Sequence, residues 1–160
     1  MAKSKGKSDG RLLVATNRKA RFHYEIIDVF EAGISLKGPE VKSLRARNTS
    51  FEGAWASVER GALILHSLYI APYKYNTAEE LSPTRDRKLL MHRKEIKRLK
   101  DAIGSRKLTL VPLEIYFKRG WAKISLALAR GKRGPDKRRL IKRREAAREL
   151  ERSFKGKFRV

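Results

Sequence analysis

The stretch Leu108–Ala129, LTLVPLEIYFKRGWAKISLALA, decides the architecture. Val111, Leu113, Ile115 and Phe117 recur at every second position, and Ala122, Ile124, Leu126 and Leu128 do the same on the return. Successive side chains leave a strand on opposite sides, so a period of two marks a strand with one buried face. Lys118-Arg119-Gly120 separates the two runs, and its glycine supplies the positive φ that a tight reversal needs. A long β-hairpin is expected, and it needs further strands to cover its apolar face.

Those strands lie upstream. AWASVERGALILHSLYI reads as a second hairpin around Arg60-Gly61. FHYEIIDV, from Phe22, places Phe22, Tyr24 and Ile26 on one face and His23 and Glu25 on the other. EAG then makes a turn and ISLKG continues the alternation through Ile34 and Leu36, a third hairpin. PEVKSLRA opens with Pro39 and Glu40, a proline at a helix start with an acid in its first turn. Val41 and Leu44, three apart, bury one side of that short helix. In SPTRDRKLLMHRKEIKRLKDAIG, Ser82 caps and Pro83 begins a helix. Its Leu89, Ile96, Leu99 and Ile103 recur at roughly helical spacing to Gly104, with a break near His92. Short antiparallel strands with helices inserted predict a mainly β fold. The form expected is a small OB-type antiparallel barrel rather than a βαβ sheet.

The 160 residues are 41% hydrophobic, enough for one core, yet carry a formal net charge of +23 and a pI near 10.8. Self-repulsion on that scale calls for a polyanion, nucleic acid first and an anionic membrane surface second. The charge divides the chain into a basic flexible arm over 1–16, a barrel over 17–130 and a basic tail over 131–160. From Arg130 to the end, 14 Lys/Arg stand against 4 acids. In LARGKRGPDKRRLIKRREAAREL, Leu140, Ala147, Leu150 and Phe154 form only a narrow, interrupted apolar stripe. Like charges such as Arg139 and Arg143 oppose a free helix there. The tail is expected to be disordered alone and helical when phosphates surround it. With no cysteine there is neither disulfide nor thiolate ligand. MAKSKGKSDG lacks the apolar region of a secretory signal, and no run approaches the roughly 20 apolar residues of a membrane span. A cytoplasmic location is expected.

Catalysis finds no foothold in the sequence. His23, His66 and His92 lie on separate elements without ligand-like spacing, and GISLKGPE has Pro39 and Glu40 where a phosphate loop needs Lys and Ser/Thr. No enzyme activity, metal or cofactor is expected. A Lys/Arg run is usually a solvated face, but three groups go beyond that. NRKAR (17–21) sets an amide among cations before a strand. EVKSLRAR puts Lys42 and Arg45 on one helical face beside Glu40. TRDRKLL packs Arg85, Arg87 and Lys88 against Leu89 and Leu90. Arginine offers a planar fork to phosphate and stacks on bases. An acid such as Glu31 or Glu40 on such a surface can orient an arginine or accept from a base or a 2′-hydroxyl, or simply pair with a nearby cation.

NRKARFHYEI, FEAGISLKGPEVKSLRAR, SPTRDRKLLMHRKEI, TLVPLEIYFK and LARGKRGPDKR, in this order and spacing, resemble the SsrA-binding protein (small protein B, SmpB) family. The likeness runs from about Asn17 to Arg138. It implies an OB-type barrel that binds the tRNA-like part of transfer-messenger RNA and enters ribosomes stalled on broken messages, in trans-translation. Elongation factor Tu and the alanyl-tRNA synthetase are implied as partners on the same RNA. By position, Asn17, Arg18, Lys19, Glu31, Glu40, Lys42, Arg45, Arg87, Leu90 and Lys123 match the family's RNA surface. Gly131, Lys132, Arg133, Asp136, Lys137 and Arg138 match the tail motif that engages the ribosome. The chain has Pro135 where the family usually carries His or Tyr, and Pro39 where it usually carries Thr. From the residues alone, a basic ribosomal protein or a general RNA chaperone is the alternative.

Overall fold

The computed structural model describes residues 10–77 and 80–157. The predicted hairpin is β8 (Thr109–Lys118) with β9 (Trp121–Gly131), and the second is β4 (Trp55–Glu59) with β5 (Ala62–His66). Both turn in two residues with φ positive throughout: Arg60 48° and Gly61 76°, Arg119 52° and Gly120 80°. These are type I′ turns, whose twist matches that of the flanking strands. Ring closure follows from β8, which pairs with β9 along its length and with β4 at Ala56–Leu110. The circuit β8-β4-β5-β7-β2-β9 returns to β8 with every pair antiparallel, where β2 is Tyr24–Ile34 and β7 is Arg87–Leu90. Closure leaves no edge within the ring. Leu63, Leu65, Leu110, Ile115, Ile124 and Leu126 fill its interior, all fully buried.

Three sequence expectations are corrected. Residues 24–34 form one continuous strand paired with β9, not a hairpin broken at EAG. Gly33 is a strand residue; a Cβ there would meet Leu90 Cβ at 3.3 Å, so the glycine lets β7 lie close. Second, the helix starting at Pro83 is instead strand β7 followed by helix α3 (Arg93–Arg106), and the break at His92 is its boundary. His92 Nδ1 accepts from the Lys94 backbone N–H at 3.3 Å, capping α3, whose Ile96 and Leu99 close one end of the core. Gly104 stays inside α3, which ends at Lys107 in the left-handed region, φ 50°. Third, Arg11–Thr16 is a strand, β1, along β8, so the sheet begins at Arg11 inside the segment read as an arm. Residues 1–9 lie outside the described residues.

Of the smaller elements, helix α1 (Ala20–His23) precedes β2, and β3 (Thr49–Ser50) pairs with β6 (Tyr69–Ile70) apart from the ring. Helix α2 (Gly38–Arg45) stands where Pro39 and Glu40 predicted it. A register shift between Pro112 and Glu114 divides the period-two face of β8. Ile115 and Phe117 join the main core, whereas Val111 and Leu113 form a second cluster with Ala20, Ala127 and Ala129. The tail is helix α4 (Gly134–Lys157), which touches the body near its start, with the Arg144 guanidinium 5.0 Å from the Phe22 ring centre. Ile141, Leu150 and Phe154 stay exposed. Leu140 of its stripe is half-buried against the body, whereas Ala147, Leu150 and Phe154 are exposed, and the element is helical in the chain alone.

Candidate nucleic-acid interface

Cross-strand partners share a face, so the pairing registers map the barrel's outer surface. Leu13, Tyr116, Lys123, Gly33 and Leu90 form one row across five strands. Thr16, Glu114, Ser125 and Glu31 form the next, and Arg11, Lys118 and Trp121 flank the first on its other side. The residues between, such as Ile115, Phe117 and Ile124, point into the core, so these rows face outward. Three of the sequence candidates, Glu31, Leu90 and Lys123, meet here from three strands. The buried Tyr116 hydroxyl donates to Glu31 Oε2, and Lys118 and Lys123 each place Nζ 3.9 Å from the same carboxylate. Arg11 lies 3.7 Å over the Tyr116 ring and reaches Glu114 at 3.3 Å. Burial pushes the Tyr116 phenol upward, and the hydrogen bond and charge of Glu31 add to it. It is therefore a donor at every working pH, and it holds Glu31 between two lysines.

Glu40 and Arg87 have a different setting. Arg87 is 1% exposed and Glu40 5%, and they face each other rather than solvent. Glu40 accepts from Arg85 at 2.7 and 2.6 Å, from Arg87 Nε at 3.0 Å and from the Lys37 backbone N–H at 3.0 Å. Arg87 spends its remaining donors on the carbonyls of Leu68 (2.6 Å), Pro83 (3.1 Å) and Arg85 (3.2 Å). The two join α2, β7 and the loop before β7. Both were placed on the RNA surface by the resemblance; in the structure their side chains are buried and engaged with each other and with neighbouring carbonyls. Burial alone raises the Glu40 pKa, but the Arg85 hydrogen bond, the Lys37 N–H and the two guanidinium charges outweigh it, and the net shift is downward. A lowered folded-state pKa means that the unfolded chain binds the proton more tightly, so stability rises with pH across that window. Melting temperature is expected to be level near neutrality and to fall once pH drops below about 4.3, the ordinary Glu value. In Glu40→Gln that part of the acid loss should vanish; an unchanged acid profile in thermal melts would refute the assignment.

Lys42 and Arg45 are exposed on α2, over the rings of Tyr73 (5.1 Å) and Phe117 (4.7 Å). A separate cleft of about 870 Å³ unites two groups far apart in sequence, Asn17-Arg18-Lys19 with Gly131, Lys132 and Lys137. Its floor includes Phe51 and Trp55. The Asn17 amide donates to Pro112 O at 2.9 Å, and Lys132 is tied to the α1 carbonyls of His23 (backbone N–H, 2.9 Å) and Arg21 (Nζ, 2.9 Å). Beside it, Arg130, Lys132, Arg133, Arg139 and Arg143 surround a hollow of about 510 Å³, with Glu25 the one acid among the described lining residues. Arg138 is exposed on α4. The side chain of Asp136 lies outside the described residues.

His66 has partners the sequence did not show. Its Nε2 lies 2.7 Å from Ser57 Oγ and its Nδ1 2.9 Å from Asp86 Oδ1, the order of a serine nucleophile relay. Glu59 Oε1 intrudes at 3.1 Å from Nε2 and 2.8 Å from Ser57 Oγ, and the Trp55 ring stacks on the imidazole at 4.3 Å. The nitrogen that a nucleophile's base needs is thus shared with a carboxylate. Among the described residues, no group of three or more His, Asp or Glu could hold a metal. Sequence reasoning missed Arg11, Tyr116, Lys118 and Trp121. The alternation that placed Ile115 inward also places Tyr116 outward, but the cross-strand register that gathers them is a long-range property.

Comparison with known proteins places the chain among relatives. Residues 14–156 match the family described as SmpB protein. An SsrA-binding protein of Elusimicrobium minutum is 47% identical over 152 residues, 95% of this chain and 97% of the relative. One from Thermus thermophilus is 51% identical over 139 residues, 86% and 96%. A solved chain described as "tmRNA-SmpB: a journey to the center of the bacterial ribosome" superposes with a TM-score of 0.64 at 50% identity, covering 79% of this chain and 93% of that one.

Proposed function

The chain belongs to the SmpB family, and on that premise we propose that it binds the tRNA-like part of transfer-messenger RNA and carries it into stalled ribosomes for trans-translation. The observation that carries this reading is the outward sheet face, where Glu31, Lys123 and Leu90 converge with Lys118 and Arg11 in a chain of charge +23. Cations set between apolar side chains suit phosphate contacts that position a folded RNA, with an apolar surface left for exposed bases. Lys42 and Arg45 add two exposed cations on α2. The role is architectural: the protein orients RNA and breaks no bond. Elongation factor Tu and the alanyl-tRNA synthetase meet it through the same RNA. No helix among the described residues is long and apolar enough to cross a membrane, and a cytoplasmic site of action fits the ribosomal task.

The tail supplies the second half of the mechanism. At 1.5 Å per residue, the 24 residues of α4 span about 36 Å. A cationic rod of that length, with Gly131, Lys132, Arg133, Lys137 and Arg138 at its root, suits a channel walled by ribosomal phosphate. Its fit there tests whether the message path is vacant, because an intact message occupies the same volume.

Neutralising Lys42 and Arg45 together with glutamine is expected to weaken RNA binding and to reduce the slope of log K against log salt by roughly 1.8, two phosphates at about 0.9 each. An unchanged slope dismisses both as contacts. Competition between transfer-messenger RNA and bulk RNA tests the whole reading: equal affinity would favour a general RNA chaperone.

A further inference from the structure

Trp121 opens β9 beside the type I′ turn, and it is 74% exposed, more than any other large hydrophobic residue described. The ordinary explanation of an aromatic there is a cross-strand pair that steadies the hairpin, with the stem of the facing lysine laid over the ring. The neighbours do not behave that way. Lys118, directly opposite, sends its ammonium to Glu31 at 3.9 Å, and Arg11, next in the row, turns over Tyr116 at 3.7 Å. Among the described residues, no ring or cation stacks on Trp121, whereas the other tryptophan, Trp55, is stacked on His66. The indole is left bare on a paired strand, a rigid mount that loses little freedom when its faces are covered.

We propose, building on the RNA reading above, that Trp121 is a stacking platform for an unpaired base of the bound RNA, with Arg11 and Lys118 beside it for the adjoining phosphates. The cationic surroundings favour a polyanion over an apolar protein partner. Every base presents a π-face, so the platform chooses unstacked over paired nucleotides and is indifferent to base identity. The RNA class it fits is a folded molecule that displays a splayed loop base next to a helical backbone. A plain duplex offers no such base.

The test uses full-length protein with two probes, a transcript of the tRNA-like part of transfer-messenger RNA and a fully paired duplex of equal length. Trp121→Ala is expected to weaken transcript binding about 5- to 100-fold and to leave both duplex binding and the salt slope unchanged, since no phosphate contact is lost. Trp121→Phe, which keeps a ring, should retain most of the affinity, and melting temperatures of both variants should match the parent. Tight transcript binding by Trp121→Ala, or a loss accompanied by a changed salt slope, overturns the stacking role and leaves the RNA reading standing. If the parent protein itself shows no preference for the transcript over the duplex, the RNA reading fails and the platform fails with it.

Discussion

A chain ended after Arg133 is expected to bind the tRNA-like RNA nearly as well as the full chain at about 150 mM salt, while peptide tagging on stalled ribosomes falls to background. The cut preserves β9 to Gly131, which pairs with Tyr24, and the ties from Lys132 to α1. It removes 11 Lys/Arg and 4 acids. Screening confines those charges to about 8 Å at this ionic strength, so a helix that leaves the body after its first turns adds little at the sheet face. The ribosomal step is different, because most of α4 is exposed and further stabilising contacts have to come from outside. Tagging that survives the cut, measured in a reconstituted stalled-translation assay, would remove the tail from the mechanism.

Glu40→Ala is expected to be the most damaging point change in the barrel. It leaves Arg87, 1% exposed, as a buried cation whose carboxylate is gone, a loss of about 3–5 kcal/mol for a broken buried pair. For a chain of this size that lowers the melting temperature by about 10 °C. Glu40→Gln keeps an acceptor for Arg87 and should recover part of the loss. Below its reduced melting temperature, Glu40→Ala should still bind RNA within about threefold of the parent, because Glu40 faces guanidinium groups rather than the sheet face. Full stability with weakened RNA binding would reverse this assignment and return Glu40 to the RNA surface that the resemblance implied.

The elements legible in the sequence are those whose cause is local. Arg60-Gly61 and Arg119-Gly120 announce two-residue turns because only certain residues take positive φ readily, and the alternation on either side leaves no other use for them. Pro39 and Glu40 mark α2 in the same way. Errors arose where distant partners overrule local preference. EAG resembles a turn, yet Gly33 runs on as strand between Lys123 and Leu90, since the long strand β9 offers hydrogen bonds to the whole of 24–33. RKLL has helix-forming residues and lies at helical spacing from Ile96, but the edges of β2 and β5 claim it as β7. LLVAT was masked by the cations before it, although β8 pairs with it.

The candidate site divides along the same line. Composition alone pointed to a polyanionic partner, because +23 on 160 residues is not neutralised from within. The motif order alone pointed to the family. Tertiary structure decided which charges are available: it brought Glu31, Leu90 and Lys123 together on one face, joined Asn17–Lys19 to Lys132 and Lys137 across a cleft, and withdrew Glu40 and Arg87 into a closed ion network. The physical reason is that a residue's chemistry is written in its type, but its exposure is set by barrel closure, and closure depends on pairings between residues up to about a hundred positions apart.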